Sequence, residues 1–183
     1  MMTSWNHIAL GGQVAAKAAA DPAMDSDQFA AFYERSARPL WAYLFRCSGD
    51  SALAEDLMQE AYVRFLGAKQ PGDAEVDARR YLFRIASNLL RDHWRRPKAS
   101  SLEDLPESYF ATCASADEMV AQQGLARAME QMRPRDRQIL WLAHAENYSH
   151  HEIAAITGLA TTSVRILLFR ARTRMRKLME GTR

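Results

Sequence analysis

Apolar residues recur along this chain at steps of three and four, the period of an α-helix. In "DQFAAFYERSARPLWAYLFRC", Phe29, Phe32, Tyr33, Leu40, Tyr43 and Leu44 form one stripe behind an N-cap at Asp25 or Ser26, and Pro39 predicts a kink or a break. "ALAEDLMQEAYVRFL" carries Leu53, Leu57, Ala61 and Leu66 on a second stripe, with Met58, Tyr62 and Phe65 beside it. Its opposite face is polar, with Glu55, Asp56, Gln59 and Glu60. Gly67, Pro71 and Gly72 predict a loop. In "ARRYLFRIASNLLRDHWRRP", Leu82, Ile85, Ala86, Leu89 and His93 fall on one side, and Arg80, Arg84, Ser87, Asn88, Arg91 and Arg95 on the other, until Pro97 stops the helix.

The pattern lapses from Lys98 to about Asp117, a stretch with Pro106 and several serines that reads as a linker. It resumes with Leu125, Ala128, Met129 and Met132, then breaks at Arg133-Pro134, where Pro134 suits the first position of the helix through "RDRQILWLAHA". Ser149 and Glu152 form the capping-box pattern S-x-x-E, and Tyr148 with Ile153 occupies the positions of a hydrophobic staple. Ala154, Gly158 and Val164 follow at the spacing of a helix-turn-helix: a small residue where helices approach, a glycine for the turn, and a branched residue packing the second helix back. A helical corner that never meets DNA shows the same three residues. In the second helix Val164, Leu168, Ala171, Met175 and Leu178 form the core stripe, bordered by Leu167. Arg165, Phe169, Arg172 and Arg176 lie to one side of it, while Ile166 sits almost opposite Val164 and should be exposed, either to meet a thymine methyl or a protein partner or as an ordinary lone surface isoleucine.

Every periodic element is helical, so the expected fold class is all-α: two small helical domains joined by a flexible linker. The expected divisions are an N-terminal extension over residues 1–24, a first domain over 25–97, the linker over 98–117 and a second domain over 118–183. The extension is small-residue-rich and poorly periodic, so it is expected to be flexible.

Charge changes this picture more than composition does. The net charge is only +2, but it is segregated. Between Arg79 and Lys98, Arg79, Arg80, Arg84, Arg91, Arg95, Arg96 and Lys98 stand against Asp92 alone. Between Ser163 and Arg183, Arg165, Arg170, Arg172, Arg174, Arg176, Lys177 and Arg183 stand against Glu180 alone. From Ala99 to Ala126 the chain has no Lys or Arg but carries Glu103, Asp104, Glu107, Asp117 and Glu118. Two basic lobes flanking an acidic tether suit a long polyanion gripped at two points.

Other chemistries lack their patterns. His144, His150, His151 and Glu152 do not make H-E-x-x-H, and adjacent histidines on a helix point about 100° apart, so no metal site is expected. Glu55, Asp56 and Glu60 have no nucleophile, phosphate loop or orienting partner, so no catalytic residue and no cofactor is expected. Cys47 and Cys113 read as ordinary reduced thiols. No apolar run reaches the ~20 residues that span a bilayer, and no Lys or Arg precedes Lys17, so membrane insertion is not expected and the cytoplasm is the expected location.

The three motifs together resemble one family, the bacterial RNA polymerase sigma factors of the extracytoplasmic-function (ECF) group, from about Phe29 to Met179. "AEDLMQEAYVRFL" resembles the region 2 helix that docks on core RNA polymerase, "RRYLFRIASNLLRDHWRR" the helix that engages the promoter minus-ten element, and the stretch from Leu125 to Met179 resembles region 4, which binds the minus-thirty-five element. The resemblance implies a promoter-specificity subunit rather than an enzyme. It implies that Asp56, Leu57, Gln59 and Glu60 face the polymerase, and that Asn88 with the loop from Lys69 to Asp77 receives an unstacked promoter base. It implies that Arg80, Arg84, Arg91 and Arg95 hold phosphates nearby. For the minus-thirty-five element it implies Thr161, Thr162, Ser163, Arg165, Ile166, Phe169, Arg172 and Arg176. Partners implied are core polymerase, promoter DNA and an anti-sigma factor. Ile166-Leu167 departs from the family's polar or basic pair, which leaves base preference open. A stand-alone helix-turn-helix regulator is the alternative, and the "DLMQEAY" face argues against it.

Overall fold

The computed structural model describes residues 24–68, 75–95 and 116–180, with side chains described from residue 123 onward in the last segment. These residues form seven helices and no strand. Helix α1 spans Ser26–Ser48, α2 Ser51–Leu66, α3 Glu75–Arg95, α4 Ala116–Glu130, α5 Pro134–His144, α6 His150–Thr157 and α7 Thr161–Glu180. The expected N-terminal extension, apart from Met24, and nearly all of the expected linker lie outside the described residues; Ala116 and Asp117 already belong to α4.

Asp25 caps α1, its carboxylate accepting from the Gln28 N–H while the Gln28 side chain accepts from the Asp25 N–H. Of the kink or break expected at Pro39, the break does not occur: α1 runs continuously through it. An interior proline costs about 3 kcal/mol, but Leu40, Tyr43, Leu44 and Cys47 beyond it are completely buried on the face that also buries Phe32 and Ser36. At about 1.5–3 kcal/mol for each large apolar side chain removed from water, that face outweighs the lost hydrogen bond.

In α2 the core stripe is turned from the expected one. Ala54, Ala61, Tyr62 and Phe65 are buried, Leu53 and Leu57 are only half-buried, and Leu66 is 45% exposed. The aromatic rings decide this: Phe65 stacks on Phe32 at 5.0 Å and Tyr62 packs against Phe29 and Tyr33. The Tyr62 hydroxyl also meets Ser36 Oγ at 2.7 Å. Burial pushes the Tyr62 phenol up to about 12.

Helix α3 is buried on two sides instead of one. Leu82, Ile85, Ala86 and Leu89 are buried as expected, but so are Phe83, Ser87 and Leu90. Ser87 was expected on the polar face; it is 1% exposed, and its hydroxyl lies 2.7 Å from the Tyr43 hydroxyl. Helices α1, α2 and α6 all pack against α3, and Phe83 meets both Tyr43 of α1 and Tyr148 just ahead of α6. In α4, Ala128 and Met129 are buried, as is Met132 just beyond the helix, but Leu125, expected on the same face, is 47% exposed.

Pro134 opens α5 at its first turn, where a missing N–H costs nothing. Ser149 caps α6 with both bonds of the capping box present, and Gly158 ends it with φ +71°, a conformation that suits glycine. Helix α7 leaves that turn bent by 103° from α6, within the range of a helix-turn-helix. Val164, Leu168 and Ala171 anchor it, with Met175 and Leu178 half-buried beyond them. One continuous apolar cluster runs through the described residues, because α5 packs on α1 and α6 packs on α3.

Candidate nucleic-acid interface and partner face

The capping box, the left-handed glycine and the buried Val164–Leu168–Ala171 stripe together aim α7 outward. Thr161, Thr162, Arg165, Ile166 and Phe169 are exposed, and Ser163 is half-buried. Ile166 is 53% and Phe169 71% exposed, an apolar centre flanked by Arg165 and Arg170. Among the described residues no arginine of α7 meets a carboxylate. Phe169, Arg170, Thr173, Arg174 and Lys177 also line an open hollow of about 500 Å³ with Arg133 and Asp136.

Arg172 and Arg176 do not join the residues of the first turn. Arg172 Nε donates to His144 Nε2 at 3.1 Å, and both arginines line an apolar groove of about 610 Å³ with Met129, Leu140, Trp141 and Met175. From Thr161 to Arg172 is about 16 Å along the axis at 1.5 Å per residue, more than the ~12 Å width of a major groove. Burial and then the neighbouring Arg172 charge hold the His144 imidazole below its ordinary range.

On α3 the expected cations divide. Arg84, Asn88, Arg91 and Arg95 are exposed, but Arg80 is not free. Its two terminal nitrogens donate to Asp77 at 2.7 Å and to Glu152 of α6 at 2.6 Å. Arg79 donates to Glu146, whose side chain is only 3% exposed. The Arg91 guanidinium, bonded to Asn88, lies over the Gly158 turn, where a β-carbon would meet it at 3.5 Å. Burial raises the Glu146 carboxyl above its usual range against the pull of Arg79, whereas the cap bonds to Ser149, followed by Arg80, hold Glu152 below it.

Beneath these pairs lies a buried polar relay. Gln138 Nε2 of α5 donates to the Tyr43 hydroxyl of α1 at 2.7 Å, and that hydroxyl pairs with Ser87 of α3. Tyr43 has no exposure, and burial pushes its phenol far above the ordinary range. The sequence gives no signal for Glu146 or Gln138, because their partners lie far away in the chain: 67 residues separate Arg79 from Glu146 and 95 separate Tyr43 from Gln138. Glu152 was legible only as a cap. Of the loop expected to receive a base, Glu75 to Asp77 form the first turn of α3 and the preceding residues lie outside those described.

The polar face of α2 carries Asp56, Gln59 and Glu60, all exposed, with Leu57 half-buried beside them and Glu60 paired to Arg64 at 2.6 Å. Among the described residues no group of three His, Cys, Asp or Glu side chains suits a metal ion, and no single helix is long and apolar enough to cross a membrane.

Residues 32–100 match the family Sigma-70 region 2, and residues 122–175 match Sigma-70, region 4. The chain is 29% identical to the RNA polymerase sigma factor CarQ of Myxococcus xanthus over 84% of its own length and 90% of the relative's. It is 30% identical to the ECF RNA polymerase sigma factor EcfG of Rhodopseudomonas palustris, covering 76% and 78% of the two. The fold is similar to that of the sigma factor RpoE of Bartonella quintana, solved in complex with the anti-sigma factor NepR. The TM-score is 0.63 at 20% identity, over 85% of this chain and 98% of the other.

Proposed function

The chain belongs to the ECF RNA polymerase sigma factors, which are transcription initiation factors and not enzymes, and on that premise we propose how its surfaces divide the work. Asp56, Gln59 and Glu60, with the half-buried Leu57 among them, dock on core polymerase: an acidic rim around an apolar contact suits a basic partner helix. Arg84, Asn88, Arg91, Arg95 and, once released, Arg80 hold the minus-ten element. Thr161, Thr162, Ser163, Arg165, Ile166 and Phe169 enter the major groove at the minus-thirty-five element. Arg172 and Arg176 reach phosphates beyond it, because the length of α7 keeps them out of the same groove.

The observation that carries this reading is the outward face of α7, basic at its edges, without a carboxylate partner among the described residues, and presented by a capped helix-turn-helix. Extruding a promoter base costs a few kcal/mol, so opening needs the polymerase as well as this chain. An anti-sigma partner is extended to this chain from the complex in which the similarly folded Bartonella quintana protein was solved. The test is run-off transcription by core polymerase with and without this chain, on templates enriched by the reconstituted holoenzyme from random sequence. Products with fixed start sites that depend on the chain are expected. Their absence, together with an empty core polymerase pull-down, would overturn the reading in favour of a stand-alone regulator.

A further inference from the structure

Helices α4, α5 and α7 enclose an apolar groove that the proposed docking and DNA contacts leave open, apart from the two arginines at its edge. Leu125, Met129, Leu140, Trp141 and Met175 line it, and its volume of about 610 Å³ falls within the roughly 300–1,000 Å³ of pockets that take small molecules. Leu125 was expected in the core stripe of its helix, yet it stands 47% exposed at this groove, with its apolar surface left for something else to cover. Trp141 gives its indole N–H to Glu146 at 3.2 Å, which leaves ring carbon for the groove. Met129 and Met175 bring flexible, polarisable side chains that adapt to a flat ring.

The rim carries one sign of charge. Arg46 of α1, Arg172 and Arg176 line it with His144, and no Asp or Glu stands among the described residues of the lining. Among the described residues none of these three arginines has a carboxylate within ion-pair distance. The bond from Arg172 Nε to His144 Nε2 uses one of the five guanidinium donors and holds that group at the groove edge. Length then narrows the occupant. Leu125 to Met129, Leu140 to Ala145 and Arg172 to Arg176 span only about 6, 7.5 and 6 Å along their helices at 1.5 Å per residue. A docked helix sets its anchors from i to i+7, about 10.5 Å, and a long acyl chain overruns the same walls, whereas two fused aromatic rings fit between them.

We propose that this groove is a binding site for a compact aromatic carboxylate, its rings laid among Leu125, Met129, Trp141 and Met175 and its carboxylate on Arg172 and Arg176. Offset stacking on the indole and contacts with the methionine sulfurs add to the burial of the rings. The carboxylate takes guanidinium donors that Arg172 and Arg176 would otherwise give to phosphate, so an occupied groove loosens the grip on DNA. That consequence rests on the phosphate role proposed for the two arginines; the site itself does not.

The test uses the full chain, with naphthalene carboxylate as the probe. Calorimetry and ligand-observed NMR compare it with its neutral isostere naphthalenemethanol and with octanoate, and circular dichroism checks that each variant keeps its helices. The probe is expected to bind with a Kd below about 1 mM and more tightly than either comparator. Arg172→Gln and Arg176→Gln should each weaken it about fivefold, the size of a solvent-screened ion pair, and leave the alcohol unchanged. Arg135→Gln removes the same charge at an exposed position outside the groove and should change neither. Leu125→Glu sets a like charge at the lip and should weaken the carboxylate more than the alcohol. On a duplex retained by the template enrichment, saturating probe should flatten the salt slope by about 0.9 log unit, for the one phosphate contact it replaces. No binding by either method would overturn the site and leave the groove to a protein partner. Equal affinity for carboxylate and alcohol, or an equal loss in Arg135→Gln and Arg172→Gln, would overturn it as well. Tighter binding of octanoate would overturn the aromatic assignment. Specific binding with an unchanged salt slope would uphold the site and overturn the phosphate role of Arg172 and Arg176.

Discussion

Helices α3 and α7 carry five arginines each, yet they hold part of them differently. On α3, Arg79 and Arg80 are neutralised by acids from another part of the chain, Arg91 lies over a turn of α6, and both flanks of the helix are buried. On α7 the arginines project from a helix buried along one narrow stripe, and none meets a carboxylate among the described residues. Basic content thus measures the capacity for a polyanion, while the three-dimensional surroundings decide whether that capacity is already occupied. A guanidinium with an acid at 2.6 Å already has much of its charge compensated, so Arg80 of α3 has less to gain from a phosphate than the arginines of α7.

The comparison can be broken most sharply with one residue type at two positions. Phe83 on α3 has no exposure, and Phe83→Ala is expected to destabilise the protein by about 3–5 kcal/mol. Phe169 on α7 is 71% exposed, and Phe169→Ala should move stability by no more than about 0.5 kcal/mol while weakening minus-thirty-five binding. Urea denaturation of both variants checks this; similar losses would mean that α7 is not the open helix. Next in size is the salt dependence. Arg165→Ala should flatten the salt slope of minus-thirty-five duplex binding by about 0.9 log unit, whereas Arg80→Ala should leave the slope of the free protein unchanged and flatten only that of the holoenzyme.

Ser149→Ala removes the cap that starts α6 and should cost about 1 kcal/mol in the same denaturation experiment. The smallest effect sharpens the role of Glu152. Its folded-state carboxyl is held below the ordinary value of 4.5 by the Ser149 cap and then by Arg80, so its contribution is fully present above 4.5 and is lost as the pH falls through the lower folded value. Glu146 has the opposite sign: burial raises it, so protonation relieves rather than destabilises the fold. Stability measured from about pH 6 to about pH 3 should therefore fall less steeply in Glu152→Gln than in wild type. An equal slope would show that the carboxylate at position 152 does not contribute to the stability of the fold.

The class of fold, the helix starts at Asp25 and Ser149, the glycine turn at Gly158 and the outward projection of Arg165, Ile166 and Phe169 were all legible in the sequence, because caps, turns and periodic stripes act over three or four residues. Three expectations fell: the stripe of α2, the burial of Leu125 and the exposure of Ser87. The Ser87 case is the clearest. On a helical wheel its hydroxyl belongs with Asn88 and Arg91, and only the Tyr43 hydroxyl, 44 residues earlier, makes an interior position satisfiable.

What the order of residues determined unaided is the set of helices and the faces each could offer, since hydrogen bonds within a helix and the spacing of apolar side chains are properties of neighbours. Tertiary structure alone decided which of two similar basic faces is occupied. Glu146, Glu152 and Gln138 reach α3 and α1 across 67 to 95 residues, and at that separation the gain from pairing depends on how the chain closes upon itself, which no local pattern records.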